Sequence, residues 1–153
     1  MKIMHVKFYE KLPSELQEKR EQGAVAYETS HGVDVNYTCF SLAIFETGDL
    51  VGVLNAYTAY AEIYINDLWV DVNFRGKGYG RALIASLEEK FTGKGFNNIN
   101  LVTSAFQAPD FYRKCGFTQE FVRINKHNPK LTKYFFVKFF SDEHQHQGIC
   151  HSE

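Results

Sequence analysis

A glycine-rich segment between two regular elements constrains the fold of this chain more than any other feature. It reads Arg75-Gly76-Lys77-Gly78-Tyr79-Gly80-Arg81. A strand-like stretch at 61–72 precedes it, and apolar residues at helical spacing, from Leu83 to Phe91, follow it. Glycines let backbone N–H groups converge on an oxyanion, and the unpaired N–H groups at a helix start attract phosphate. The sequence therefore predicts a helix over about 78–91 that opens with a phosphate-binding turn.

This segment differs from the two best-known nucleotide motifs. The dinucleotide pattern G-x-G-x-x-G fails at Arg81 and again at Leu83, where it requires glycine. The P-loop pattern fails because no Ser or Thr follows a Gly-Lys pair at the required spacing. Two interpretations stay open at this point. The segment is a nucleotide-binding turn of another class, or it is a tight turn with only a structural role.

The strand before the turn contains an irregularity. Its apolar residues occupy odd positions first, at Ile63 and Ile65, and even positions afterwards, at Leu68 and Val70. A regular strand keeps each face at a period of two. One inserted residue near Asn66-Asp67, a β-bulge, restores a single apolar face and bends the strand away from its neighbour. We therefore expect a cleft in the sheet; the alternative is a strand buried on both faces, in which parity carries little information.

The remaining pattern predicts a mixed fold. Ser14-x-x-Gln17 forms a capping box at the start of a helix, and Thr47-Gly48-Asp49 has the spacing of a hairpin loop. The predicted strands are 3–9, 39–46, 50–57, 61–72, 98–103, 117–124 and 133–140, and the predicted helices are 14–28, 78–91 and 108–115. Strands outnumber helices, and the two kinds neither alternate strictly nor segregate. We expect an α/β (α+β) fold with a single mixed, mostly antiparallel sheet, a bulged central strand and helices on both faces.

Composition predicts one globular domain over residues 1–140. The 153 residues are 44% hydrophobic, which excludes disorder, and no apolar run approaches the roughly 20 residues of a membrane span. Three cysteines without a CxxC pair build no disulfide framework, so a reducing cytoplasm is expected. The polar stretch 141–153 is predicted to be a disordered tail. Its potential metal ligands have a spacing that favours solvated side chains, so no metal is expected; they are His144, His146, Cys150 and His151.

Charge is distributed unevenly along the chain. Residues 1–74 carry 5 basic and 11 acidic side chains, whereas residues 75–140 carry 12 basic and 4 acidic ones. This polarity suggests an anionic ligand for the basic half and a cationic ligand for the acidic half, against the alternative of two ordinary solvated surfaces. A formal net charge of −1 and the lack of an RNA-binding signature argue against nucleic acid as a partner.

The stretch from Asp67 to Ile84 resembles motif A of the GNAT superfamily of N-acetyltransferases, in which a bulged strand leads into Arg/Gln-x-x-Gly-x-Gly/Ala and a helix. Arg75, Gly78 and Gly80 fill that pattern. Downstream, Ala108-x-x-Phe111-Tyr112-x-x-x-Gly116-Phe117 resembles the second signature of the family. The resemblance is strong over 66–118 and fair over 40–140, while one N-terminal helix replaces the usual pair. It implies the acyl-CoA N-acyltransferase fold and, through the C-terminal hairpin, suggests a homodimer.

The resemblance also implies acetyl-CoA as a co-substrate. Its pyrophosphate would lie on the backbone amides of the glycine-rich turn, and its pantetheine arm would pair with the strand backbone like an extra strand. The expected cofactor-binding residues are Leu68, Trp69, Val70, Arg75, Gly76, Lys77, Gly78, Tyr79, Gly80 and Arg81. Many members carry an Asn three residues before the position of Ala108. Ala105 stands there in this chain, and Gln107 is the expected substitute.

In the family, a tyrosine beside the thioester sulfur returns a proton to the leaving thiolate, and the resemblance gives this role to Tyr112. Its helical spacing with neighbouring apolar residues also fits core packing. An acceptor amine with a pKa of about 10 must lose a proton before it attacks, so a base is required. Glu62 and Tyr64 share a strand face ahead of the bulge, and Asp67 lies within it. Glu62 is the first candidate because carboxylates suit water-mediated proton removal; each of the three also fits a solvated residue.

These observations favour an N-acetyltransferase that moves the acetyl group of acetyl-CoA to a primary amine by direct attack in a ternary complex. The acidic N-terminal half suggests a small cationic acceptor, and neither a membrane nor a nucleic acid is expected as a partner. Two alternatives stay open. One is a protein or peptide N-acetyltransferase that acts on a lysine or an α-amine, and the other is a non-catalytic acyl-CoA-binding module.

Overall fold

The computed structural model describes residues 4–141 of the chain. The described residues divide into two compact units, one that ends at Val35 and one that begins at Asn36. The histidines and Cys150 of the predicted tail lie outside the described residues, as does the rest of that tail after Ser141. A single domain over 1–140 and a disordered tail stay predictions.

The N-terminal unit contains the helix α1 (Ser14–Ser30). It begins where the sequence predicts, but the capping box is wrong. Pro13 occupies the N-cap position, and the side-chain amide of Gln17 donates to Glu21 at 2.8 Å instead of returning to the helix start. The Gln17 side chain therefore makes an ordinary contact one helical turn further on.

The predicted strand at 3–9 is also wrong for its described part. Residues 4–9 form no strand, and the side chains of Val6 and Phe8 are exposed. Alternating apolar residues stabilise a strand only when a neighbouring strand accepts its backbone hydrogen bonds and covers its apolar face. Residues 4–9 take part in none of the strand ladders of the described chain.

The second unit contains one six-stranded sheet in the order β1-β2-β3-β4-β6-β5. Its strands are β1 (Thr38–Glu46), β2 (Asp49–Ala59), β3 (Glu62–Val70), β4 (Asn98–Ser104), β5 (Thr118–Arg123) and β6 (Lys133–Phe139), and its helices are α2 (Tyr79–Phe91) and α3 (Pro109–Lys114). Only the β3–β4 pair is parallel within the described residues. The predicted mixed, mostly antiparallel sheet is confirmed.

The predicted bulge is present in β3. Asn55 of β2 pairs with Asp67, whereas the next residue of β2 pairs with Ile65, so Asn66 is one residue in excess. Pairing of β3 with β4 ends at Ile65 opposite Leu101, although both strands continue. Beyond the bulge the two strands diverge, and the predicted cleft opens between them.

One face of this sheet carries the core. α2 and α3 both pack there against residues of the four central strands, and the buried cluster includes Leu54, Ile63, Leu83, Ile84, Leu87, Leu101, Tyr112, Cys115 and Phe136. Lys138 of β6 joins the two helices, because its ammonium donates to the carbonyl of Cys115 at 2.8 Å and forms an ion pair with Glu88. Since both helices of this unit lie on one face, helices on both faces stay a prediction.

Candidate active site

A groove of about 820 Å³ lies among the end of β3, the start of α2 and residues 106–114. Ten of the eleven residues predicted to bind the cofactor line it: Leu68, Trp69, Val70, Arg75, Gly76, Gly78, Tyr79, Gly80, Arg81 and Gln107. Lys77 is the exception. Its ammonium lies 5.3 Å from the ring centroid of Phe74, at the distance of a cation–π contact, and a role for it in binding stays a prediction.

The turn before α2 presents unpaired backbone amides to this groove. Gly78, the N-cap residue, has φ +89°, and Gly76 has φ +74°; both values lie in the region that favours glycine. A Cβ at either position would meet open space. No side chain of the described residues caps α2, and its first backbone hydrogen bond runs from Ala82 to Gly78 at 3.0 Å. The amides of residues 79–81 therefore lack helical acceptors, and with the helix dipole they form a site that fits a phosphate.

Gly80 also lines this groove, and its lack of a side chain matters for the packing of α2 against α3. A Cβ on this residue would lie 3.0 Å from Cζ of Phe111, which is closer than ordinary packing allows. The absence of a side chain lets the first turn of α2 approach α3. The two helices are also joined by Arg81, whose Nη2 donates to the carbonyl of Lys114 at 3.0 Å.

The backbone of β3 offers hydrogen-bonding groups to the cleft. The amide of Asp71 donates to the carbonyl of Val51 on β2 at 2.9 Å. Because backbone groups alternate in direction along a strand, those of Val70 and Leu68 point to the side from which β4 has diverged. Nε of Arg75 donates to the carbonyl of Val70 at 2.9 Å, which holds this guanidinium at the edge of the groove.

A narrower gap of about 110 Å³ separates the diverging strands β3 and β4. Tyr112, from α3, and Asp67, from the bulge, both line it. Tyr112 is only 7% exposed, and burial is the main cause that raises its pKa to about 12, with smaller contributions from Cys115 and Asp67. The hydroxyl of Tyr112 therefore keeps its proton at neutral pH and can donate it into the gap.

The two acids of β3 lie on the face of the sheet opposite the core, and their surroundings differ. Oδ1 of Asp67 accepts a hydrogen bond of 2.9 Å from the side-chain amide of Asn55, and no residue in the described range 4–141 donates to Oδ2. Both oxygens of Glu62 are engaged: Oε1 accepts from Asn98 at 3.0 Å, and Oε2 accepts from the hydroxyl of Tyr64 at 2.5 Å.

These hydrogen bonds set the protonation of the pair ahead of the bulge. The bond from Asn98, and next the bond from Tyr64, lower the pKa of Glu62, so that it is a carboxylate at neutral pH. The same bond to Glu62 is the main cause that raises the pKa of Tyr64 to about 12, so Tyr64 retains its proton. Neither residue lines the gap that contains Tyr112 and Asp67.

Sequence reasoning did not assign several residues of the groove to binding. They are Phe74, Phe106, Ala108, Phe111 and Lys114. Phe106 is 62% exposed and adjacent to Gln107, and Lys114 follows Tyr112 by two residues. In the sequence, the one signal for these residues is that they lie next to predicted ones. They reach the groove because the tertiary fold brings α3 to the turn before α2.

Among residues 4–141, no three His, Cys, Asp or Glu side chains gather as metal ligands would. In the same range, no helix combines the length and the apolar character required to cross a membrane.

Known proteins with the same motifs and fold identify the family. The family model described as "Acetyltransferase (GNAT) family" matches residues 5–117. The chain belongs to the GNAT family. It is therefore an acetyl-CoA-dependent N-acetyltransferase, and the resemblance found in the sequence is confirmed.

Individual GNAT proteins show the extent of the similarity. Blasticidin-S acetyltransferase from Streptomyces morookaense is 33% identical over 94 residues, which are 61% of this chain and 68% of that protein. The crystal structure of an acetyltransferase from Bacillus cereus ATCC 14579 is 28% identical, with a TM-score of 0.71 over 88% of this chain and 98% of that one. An aminoglycoside 6′-N-acetyltransferase in complex with coenzyme A shares the fold, with 19% identity and a TM-score of 0.56 over 81% and 84% of the two chains.

Proposed function

We propose that this GNAT enzyme transfers the acetyl group of acetyl-CoA to a primary amine of a small cationic molecule, by direct attack in a ternary complex. One observation carries the proposal. Tyr112, which holds a proton, and Asp67, whose Oδ2 accepts no hydrogen bond within residues 4–141, line one gap at the edge of the groove. Acylation of an ammonium needs a group that takes a proton from the nitrogen and a group that gives one to the leaving sulfur.

The groove fits the acetyl donor. The amides of residues 79–81 receive its pyrophosphate, and Arg75, Arg81 and Lys114 add positive charge at the groove wall. The cleft-facing backbone of Leu68 and Val70 pairs with an extended pantetheine arm. When bound, acetyl-CoA supplies a thioester whose carbonyl carbon accepts the amine and whose sulfur leaves as a thiolate.

The side chains of the gap carry the protons. Asp67 takes one proton from the acceptor ammonium and later releases it to solvent, and the neutral nitrogen forms its bond to the thioester carbonyl carbon. As the carbon–sulfur bond breaks, the nitrogen loses its second proton to solvent and Tyr112 gives its hydroxyl proton to the leaving sulfur. Tyr112 then regains a proton from solvent. Glu62 is the second candidate for the base, and it would act through water. The reaction as proposed involves no metal ion and no covalent intermediate on the enzyme.

The exposed face of the sheet supports a cationic acceptor. Both charged side chains of β3 on this face are acids, Glu62 and Asp67. The rings of Tyr57 and Tyr64 stack on the same face at a centroid distance of 4.9 Å, and Trp69 is 43% exposed there. Carboxylates and aromatic faces attract ammonium groups. The similarity to blasticidin-S acetyltransferase supports a small-molecule acceptor.

The test is a coupled thiol-release assay with acetyl-CoA and a panel of acceptors: blasticidin S, an aminoglycoside, a polyamine and a lysine peptide. We expect a small cationic amine to give kcat/KM at least about tenfold above that of the peptide. A preference for the peptide would favour a protein N-acetyltransferase. Tight binding of acetyl-CoA without turnover of any acceptor would favour a non-catalytic module.

A further inference from the structure

A chain of side-chain hydrogen bonds crosses three strands on the exposed face of the sheet and ends at the bulge. The hydroxyl of Ser41 on β1 donates to Oδ1 of Asn55 on β2 at 2.5 Å. Nδ2 of Asn55 then donates to Oδ1 of Asp67 on β3 at 2.9 Å. The three residues are direct register partners across the two antiparallel pairs, so the backbone aligns them.

Asp67 and Ser41 together fix the amide of Asn55. The amide has one accepting end and one donating end, whereas a carboxylate only accepts. The donating end therefore faces Asp67, and the accepting end faces the hydroxyl of Ser41, which donates to it. Without Ser41, the amide oxygen loses this donor, and the side chain of Asn55 loses one of its two restraints.

The bulge explains why a hydrogen bond from β2 is important for the position of Asp67. Asn66, the excess residue, immediately precedes it, and pairing of β3 with β4 has already ended at Ile65. β2 is the strand that still pairs with the backbone of Asp67. The hydrogen bond from Asn55 uses one carboxylate oxygen and leaves Oδ2 for a ligand in the gap.

We propose that Asn55, oriented by Ser41, is a positioning residue that holds the carboxylate of Asp67 for the acceptor nitrogen. This inference rests on the proposed function, in which Asp67 takes the proton of the amine. Neither Asn55 nor Ser41 lines the groove or the gap. They act through Asp67, and they determine how well the amine is used without affecting acetyl-CoA.

The test is a double-mutant cycle in the full chain. Asn55→Leu keeps the side-chain size and removes the donor. It should lower kcat/KM for the best amine of the panel about tenfold, with the KM of acetyl-CoA unchanged. In an Asp67→Asn background the same substitution should cause no further loss. Ser41→Ala should lower kcat/KM about threefold, and Cys39→Ala, on the same strand and the same face, should leave it unchanged.

Each result of the double-mutant cycle either supports or overturns the positioning role of Asn55. Losses that multiply in the double variant would show that Asn55 acts independently of Asp67 and would overturn the inference. Single variants with wild-type kcat/KM would overturn it too, while leaving the proposed function intact. If Asn55→Leu does not fold, Ser41→Ala provides the same comparison with a smaller change. If the wild type acetylates no amine of the panel, the proposed function is wrong and the inference falls with it.

Discussion

Tyr112 of α3 and Asp67 of the β3 bulge line the same narrow gap between β3 and β4. The gap exists because Asn66 is one residue in excess and pairing between the two strands stops at Ile65. A single inserted residue thus opens the sheet at the point where a proton donor and a carboxylate meet.

Removing the hydroxyl of Tyr112 tests its role as the acid. Tyr112→Phe keeps the buried ring, so the midpoint of thermal unfolding and the affinity for acetyl-CoA should change little. Because the leaving sulfur loses its proton donor, kcat should fall about tenfold or more. Tyr134→Phe, which removes a hydroxyl elsewhere on the core side of the sheet, is the control and should retain kcat. A Tyr112→Phe variant with full kcat would reduce Tyr112 to a core residue.

The raised pKa of Tyr112 determines how kcat and stability should depend on pH. Since that pKa is about 12, the required protonated form persists throughout the neutral and moderately basic range. We expect kcat to show no decline between about pH 7 and pH 10. The unfolded chain ionises this tyrosine near pH 10, so the stability that its protonated form contributes is complete below pH 10 and declines as pH approaches 12. A falling limb of kcat below pH 10 that disappears in Tyr112→Phe would contradict this account.

A side chain at Gly78 tests the phosphate site. Gly78→Val places a β-branched residue at φ +89°, which is strained, and puts its methyl groups in the open space over the turn. Calorimetry should show acetyl-CoA binding weakened by more than about tenfold. Gly23→Ala, in the interior of α1 where a Cβ meets open space, is the control and should bind acetyl-CoA normally. Unchanged affinity in Gly78→Val would reject the site.

The two acids of β3 are separated by comparing Asp67→Asn with Glu62→Gln. Asp67 lines the gap, so Asp67→Asn should lower kcat/KM for the amine about tenfold or more while the KM of acetyl-CoA stays constant. Glu62 accepts hydrogen bonds from Asn98 and Tyr64. The main effect of Glu62→Gln should therefore be a free energy of unfolding lower by about 1–3 kcal/mol. If Glu62→Gln instead shifts the pH profile of kcat/KM and Asp67→Asn does not, Glu62 is the base, as the sequence first suggested.

The bulge in β3 and the loop between β1 and β2 are predicted correctly because each is marked by the spacing of a few neighbouring residues. A change of parity between Ile65 and Leu68 indicates a bulge because a strand has no other means of exchanging its two faces. The hairpin predicted at Thr47-Gly48-Asp49 is present: β1 and β2 are joined by Thr47 and Gly48, which both have the positive φ of a two-residue type I′ loop. The predicted strand at 3–9 fails over residues 4–9 because a strand needs a neighbouring strand, which local sequence does not specify. The capping box fails because Pro13, and not Ser14, is the N-cap residue.

The candidate site likewise contains residues that local sequence marks and residues that only tertiary packing brings in. The turn at 75–81 is predictable because glycine and cationic residues mark it directly. Phe106 and Lys114 enter the groove only through the packing of α3 against α2, which no spacing in the sequence reveals. The sequence ranked Glu62 first because it is a carboxylate, a reason that applies equally to Asp67. The geometry distinguishes them, because Asp67 lies in the gap and Glu62 lies ahead of the bulge.

The most direct test of acetyl transfer to a small cationic amine is a product balance. Wild-type enzyme, acetyl-CoA and the best amine of the panel are incubated together, and released thiol and acetylated amine are quantified in the same samples, the latter by mass spectrometry. We predict equal amounts of the two products, formed only when enzyme and amine are both present. Thiol release without an acetylated amine, or acetylation confined to the peptide acceptor, would contradict the account.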